Sequence, residues 1–250
     1  MSLKPLATAF RTLTTLPFPG CDTEEKSRAL PFLFIPGLAV AGLHLLLARL
    51  MGLGSGRLLL LTGPVLCALN AVVTGALHLD GLADTADAFG MARSRERTLA
   101  ILKDSRLGTF GVAAVALALL WRSAAYGALG DAKALAILLP CMTGSRAMQG
   151  IMLSFIPYAR PEGGTGSPFA GNRNMGWICA LEFGLCSAAS VWLLGGAPMI
   201  VVTTIAMLSA GAVCASYCRR LGGITGDGIG AATEIYELMF MTMAIAIAGN

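Results

Sequence analysis

The sequence predicts an all-α fold, a polytopic membrane helix bundle of about seven transmembrane helices preceded by an amphipathic N-terminal helix. Three observations carry that expectation. Hydrophobic residues fill 56% of the 250 positions and charged ones 13%, too little polar surface to cover a soluble domain of this size. Seven apolar stretches reach or approach the length of about 20 residues that crosses about 30 Å of hydrocarbon. The basic residues also segregate between alternate connections.

The stretches cover 30–50, 58–79, 109–129, 134–156, 176–194, 197–217 and 231–248, and the fourth and seventh each carry charge. Ahead of them Leu3, Leu6, Phe10 and Leu13 recur at helical spacing, with Lys4 and Arg11 off that stripe. This predicts a helix lying in the membrane interface until Pro17 stops it, a frayed terminus being the plain alternative. The first 20 residues lack the apolar run and small-residue cleavage site of a secretory signal, so no removal is expected. Seven scattered cysteines without a CxxC pair read as packing residues, not as a disulfide or zinc framework. With no repeat, low-complexity tract or soluble segment, residues 1–250 are expected to form a single integral membrane domain.

When the connections alternate, the amino-terminal side receives Lys4, Arg11, Lys26, Arg28, Arg93, Arg95, Arg97, Lys103, Arg106, Arg160, Arg173, Arg219 and Arg220. The other side receives Arg49, Arg57 and Lys133. Positive loops stay in the cytoplasm, so the chain is expected in the cytoplasmic (inner) membrane with its long connections, 80–108, 157–175 and 218–230, facing inward. The net charge of +4 follows from this sorting, and the expected partner is the lipid bilayer, not nucleic acid.

The segment LHLDGLADTADAFG sets Asp80, Asp84 and Asp87 at i, i+4 and i+7, within roughly 60° of one another on a helix. Neighbouring carboxylates at a membrane border repel unless a cation sits among them. Oxygen ligands without a thiol or imidazole cluster favour Mg²⁺ or Mn²⁺, completed by water and substrate phosphate. A cap accounts for one aspartate but not three, and a solvated helix face is the plain alternative. Gly81, Ala83, Ala86 and Ala88 keep the helix slim enough for a bulky phosphate ligand, and His78 ahead of the stripe suits either a substrate contact or packing.

In KDSRLGTFG, Lys103 and Arg106 flank Asp104 and Ser105. Such charge neutralises phosphate, with arginine binding two oxygens in a fork, but orientation alone accounts for it equally well. In RRLGGITGDGIGAATEIYE, Gly222, Gly223, Gly226, Gly228 and Gly230 leave amides exposed before a helix, a setting for anion binding or for a flexible turn with a cap. Asp227, Glu234 and Glu237 add carboxylates there. ARPEGGTGSPFAG, opening on Arg160 and Glu162, reads as a lid or an ordinary flexible loop. Arg146 lies deep in the apolar stretch and needs a partner such as Glu182 or Glu237, as an ion pair or as a buried phosphate clamp.

FRTLTTLPFP, HLDGLADTADAF, KDSRLGTFG, YARPEGGTG and GGITGDGIGAATEIYE, in that order and spacing, resemble the cobalamin synthase family along nearly the whole chain. The family is also called adenosylcobinamide-GDP ribazoletransferase. The resemblance implies a bacterial or archaeal membrane enzyme that joins α-ribazole, or its 5'-phosphate, to adenosylcobinamide-GDP with release of GMP. It implies Mg²⁺ dependence and carries the family's aspartate motif onto Asp80, Asp84 and Asp87. On this reading Asp80 and Asp84 hold the metal on the diphosphate, and Asp87 completes the site or accepts the ribazole hydroxyl proton. Lys103 and Arg106, with Asp104 between them, serve the reacting phosphate. Arg146, Gly222, Gly223, Gly226, Asp227, Glu234, Glu237 and His78 bind phosphate or substrate. The reading admits a homo-oligomer or association with other corrinoid-assembly enzymes. A CDP-alcohol phosphotransferase also groups aspartates on a membrane helix, but usually with a fourth aspartate and a longer spacing. A divalent-cation transporter normally places its acids near the midplane, whereas these collect at one border.

Overall fold

The structure, a computed structural model, describes residues 3–52, 60–92, 94–129, 134–160, 162–194 and 196–248. Among them the regular elements are helices, joined in one place by an isolated parallel bridge between Tyr158 and Ile224. In chain order the α-helices are α1 (Lys4–Leu13), α2 (Phe34–Gly52), α3 (Thr62–Thr74), α4 (Leu77–Met91) and α5 (Arg95–Ile101). There follow α6 (Thr109–Ala128), α7 (Leu138–Phe155), α8 (Arg173–Leu194), α9 (Pro198–Leu221) and α10 (Gly226–Ala248). Arg57, Arg93 and Lys133, and the start of the 58–79 stretch, lie outside the described residues.

By length and apolarity α2, α6, α8, α9 and α10 qualify as membrane spans, making this a multi-pass membrane protein. Against the about seven stretches of the sequence, the described residues hold five such helices, or six spans if α3 and α4 form one bent span. Two stretches account for the difference. The run 58–79 is interrupted at Gly75 (φ +59°) and Ala76 (φ +54°), and α3 and α4 meet there at 91°. A left-handed alanine is uncommon because its Cβ crowds the carbonyl. The segment leaving α1 latches this corner: the Thr15 amide donates to Val73 O (2.8 Å) and its hydroxyl to Val72 O (3.0 Å), carbonyls of the last turn of α3, the second of which also accepts from Gly75 N (3.2 Å). The second stretch, α7, carries Arg146, Gln149 and several hydroxyls and is less apolar than a lipid-facing span. It is buried without a break from Pro140 to Gly150, so other helices, not lipid, surround it.

The core is built on α7 and α10. Helix α7 packs between α2 and α8, while α10 lies against α9 and α4 and also touches α6 and α7. Gly81 and Gly230 make the crossing of α4 and α10 close: a Cβ on Gly81 would stand 2.7 Å from Asp227 O and 3.2 Å from the Gly230 Cα. The slimness of α4 thus admits a neighbouring helix at Gly81. Helix α1 buries Ala7, Phe10 and Leu13 against the 3₁₀ turn Lys26–Phe32 and α2, ends at Leu13 ahead of Pro17, and leaves Leu3 exposed. Its apolar stripe therefore docks on the bundle from Phe10 onward.

The long connections meet at one end. Arg95 donates to Leu221 O (3.2 Å) and Ala159 O (3.1 Å), tying the segments after α4, α7 and α9 together. Arg220 donates to Phe89 O (3.1 Å) and lies over the Phe89 ring. The bridge adds Ile224 N to Pro157 O and Ala159 N to Ile224 O, each 2.8 Å.

Candidate active site at one end of the bundle

A cavity of about 500 Å³ opens where these connections converge. Its polar side comes from His78 and Asp80 on α4, Gln149 on α7, Arg160 and Thr165 on the 157–170 loop, and Asp227 at the start of α10. Its apolar side is Leu13, Leu33, Leu77, Leu153, Phe169 and Ile229, with Lys26 at the edge. A ligand that is charged at one end and broad and apolar at the other fits such a space.

The structure divides the three-aspartate stripe. Asp80 is exposed on the cavity wall and Asp84 half-buried behind it, and neither makes a hydrogen bond or ion pair to another described residue. Asp84 lies within electrostatic reach of Asp80, Asp227 and Arg160. Asp87, one turn on and buried, is engaged elsewhere. Its oxygens accept from Gly108 N (2.7 Å) and Gly111 N (2.8 Å), the amides that open α6. Glycine at 108 admits the carboxylate, since a Cβ there would lie 2.5 Å from Asp87 Oδ1. Both oxygens of Asp87 are thus committed to a helix start, where negative charge is favoured. Among the described residues no three His, Cys, Asp or Glu side chains gather closely enough to hold a metal unaided. Two unpartnered carboxylates on one helix face still fit Mg²⁺, which commonly takes one or two carboxylates and completes its shell with water and phosphate.

At the start of α10, Thr225 caps the helix by accepting from Gly228 N (3.3 Å) and donates to the Asp227 carboxylate (3.2 Å). Asp227 also takes a hydrogen-bonded ion pair from Arg160, whose same nitrogen donates to Leu102 O (2.9 Å). Of the glycines expected to hold phosphate, Gly226 lines the cavity while Gly222 and Gly223 shape the turn. Gly222 ends α9 in the left-handed region (φ +76°), and Gly223 presses its Cα against the Pro157 carbonyl.

The basic segment before α6 stands away from the cavity. Lys103 pairs with Glu162, holding the Glu162 carboxyl below its ordinary range. Arg106 is exposed and turns its fork onto Asp104, whose carboxyl it holds down at about 2 (Nη2 to Oδ2 2.7 Å). Arg160 is the arginine that reaches the cavity instead.

Arg146, Glu234 and Glu237 are enclosed in the bundle behind the cavity, where Arg146 takes the ion-pair alternative with Glu237. Arg146 Nη1 donates to Glu237 Oε1 (2.8 Å) and Ser145 Oγ (2.9 Å). Arg122 on α6 donates to Glu234 Oε2 (2.6 Å) and Glu237 Oε2 (3.0 Å). Two arginines and two glutamates cancel, and none reaches a phosphate site. Glu182 is not the partner of Arg146, and its Oε2 is buried without one. Between network and cavity, the Gln149 amide nitrogen lies 2.8 Å from His78 Nε2 and 2.9 Å from Thr233 Oγ1. Donating both protons, it fixes His78 Nε2 as the acceptor.

A family model described as cobalamin-5-phosphate synthase matches residues 5–245. The chain belongs to the cobalamin-5-phosphate synthase family. It is 37% identical over 247 residues to the adenosylcobinamide-GDP ribazoletransferase of Chlorobaculum parvum, covering 94% of this chain and 92% of that relative. It is 39% identical over 247 residues to the enzyme of the same name from Syntrophobacter fumaroxidans, covering 95% and 96%. No solved structure matches the chain.

In this family member, sequence reasoning missed Arg122, Gln149, Arg160 and Thr165 as residues of the core or the site. Arg122 and Gln149 left a usable signal, since each is a strongly polar side chain isolated in an apolar stretch and must face a partner. Arg160 gave less, because arginine at a loop entrance is expected from orientation alone.

Proposed function

We propose that this chain transfers ribazole onto adenosylcobinamide-GDP, releasing GMP, in the cavity between α4 and α10. The observation that carries the reading is the unpartnered carboxylate of Asp80 sharing a cavity and its broad apolar wall with the Arg160–Asp227 pair, with the equally unpartnered Asp84 one turn behind and within electrostatic reach of both. The ribazole hydroxyl oxygen attacks the phosphorus on the cobinamide side. The bond from that phosphorus to the bridging oxygen breaks, and GMP departs with that oxygen. With both Asp87 oxygens engaged, the hydroxyl proton passes to solvent at the cavity mouth. Arg160 holds the diphosphate in line for displacement, and the apolar wall excludes water from it. Bound at Asp80 and Asp84, Mg²⁺ or Mn²⁺ would neutralise the diphosphate and the charge on the departing phosphate.

The site is proposed to face the cytoplasm from the inner membrane, because the end that holds it carries most of the described lysines and arginines. A transport reading is disfavoured by the same geometry: these carboxylates gather at one end, and Arg122, Arg146, Glu234 and Glu237 deeper in the bundle are paired with one another.

The test is to incubate the purified chain with adenosylcobinamide-GDP, α-ribazole and Mg²⁺ and to measure GMP. Absence of GMP refutes the reading. Asp84→Asn should shift the Mg²⁺ dependence of GMP release to higher concentration, and an unshifted dependence removes Asp84 from the metal set.

A further inference from the structure

Most basic side chains around the cavity mouth are committed to partners within the chain: Arg95 and Arg220 to carbonyls, Lys103 to Glu162, Arg106 to Asp104. Arg160 is committed in part. It lines the cavity with its side chain 12% exposed, and Nη2 serves Leu102 O and the Asp227 carboxylate. Its Nε is buried with no acceptor among the described residues. The Tyr158 hydroxyl is buried and unpartnered in the same way. The two groups border one notch, because a Cβ on Gly164 would stand 2.7 Å from Tyr158 Oη and 3.4 Å from Arg160 Nη1. That notch adjoins Gly226, whose own Cβ would lie 3.9 Å from Tyr158 Oη and 3.0 Å from Thr165 Oγ1. Two orphaned donors beside a cavity call for an acceptor that none of the described residues supplies. A guanidinium already fixed in plane by a carboxylate suits an oxyanion with several oxygens, such as a phosphoryl group.

We propose that Arg160 binds a non-bridging oxygen of the substrate's diphosphate, with the Tyr158 hydroxyl beside it, and that Asp227 is the positioning residue that orients the guanidinium. This rests on the transfer reaction proposed above. Arg160 touches the phosphate on which charge accumulates as the bridging bond breaks, so it acts on departure of the nucleotide as well as on binding.

The experiment measures GDP binding in Mg²⁺ by calorimetry on the purified full chain, alongside KM and kcat with adenosylcobinamide-GDP. Arg160→Lys keeps the charge but removes the fork and Nε, and should weaken GDP by about ten-fold or more. Tyr158→Phe deletes only an unpartnered hydroxyl, so the melting temperature should hold or rise while GDP affinity falls by about five-fold. Asp227→Asn should weaken GDP as Arg160→Lys does, and the double variant should add little to either, which a merely structural aspartate would not produce. Wild-type GDP affinity and KM in both Arg160→Lys and Tyr158→Phe overturn the proposal even if the wild type releases GMP. A Tyr158→Phe chain that loses affinity only together with melting temperature assigns the hydroxyl to packing and overturns its part. A wild type that binds GDP but releases no GMP refutes the transfer reading and leaves the binding assignment standing.

Discussion

Replacing Asp87 by asparagine separates a cap from a metal ligand. In the wild type the two carboxylate oxygens accept from Gly108 N at 2.7 Å and Gly111 N at 2.8 Å, at the start of a 20-residue helix. The asparagine retains one acceptor but turns an NH₂ toward the second amide, so one charge-assisted hydrogen bond becomes two facing donors. Losing it costs about 1.5–3 kcal/mol, and losing the negative charge at the helix start adds about 0.5–1 kcal/mol. The total of roughly 2–4 kcal/mol corresponds to a melting temperature lower by about 4–16 °C for a chain of this size. The assay is thermal unfolding of both proteins in detergent, with and without Mg²⁺. A cap gives the same loss in both conditions. Refutation is an Asp87→Asn protein as stable as wild type in chelator that lacks only the stabilisation added by Mg²⁺, since that result makes Asp87 a metal ligand.

Glu237→Gln should cost about 3–5 kcal/mol, because it leaves Arg122 and Arg146 with one glutamate between them, whereas Glu237→Gln with Arg146→Met restores neutrality and should recover part of the loss in a double-mutant cycle. Gly81→Ala drives a methyl into backbone atoms of α10, 2.7 Å from Asp227 O, and should lower stability by about 1–3 kcal/mol and turnover with it; wild-type behaviour would show that the helices part freely. Arg106→Lys should let the Asp104 carboxyl rise from about 2 toward about 4, followed by carbon-13 NMR titration. Because that carboxyl is depressed in the folded chain, its contact with Arg106 is intact above the ordinary carboxylate range and is lost as pH falls through about 2, leaving neutral pH unaffected.

The bundle was legible because apolarity over a span's length is a local property, and five of the expected stretches returned as spanning helices. The bend at Gly75 and Ala76 was not legible, since the residues around it are as apolar as a straight span and the latch comes from Thr15, nearly sixty positions away. The aspartate stripe was read correctly as one face of a helix. Its division depends on the length of α4, which carries Asp87 past the cavity to the start of α6. Arg146 was seen to need a partner, and Glu237 was among those named. Arg122, which shares that glutamate, lies 115 positions from it in sequence, and nothing local announces the contact. For Lys103 and Arg106 the sequence left a phosphate role and a topological one open, and their partners here are Glu162, 59 positions on, and Asp104, two positions back.

The enclosed charges also fix an order of assembly. Arg122 and Arg146 sit on α6 and α7, while both glutamates that balance them sit on α10, the last described helix, and so leave the ribosome after the arginines. Until α10 enters, the half-built bundle holds Arg122 and Arg146 without the glutamates that pair with them. The arrival of α10 therefore neutralises the interior and, in the same motion, brings Asp227 against Arg160 at the cavity. A chain stalled before that helix lacks both the partners of its buried arginines and the α10 wall of its cavity.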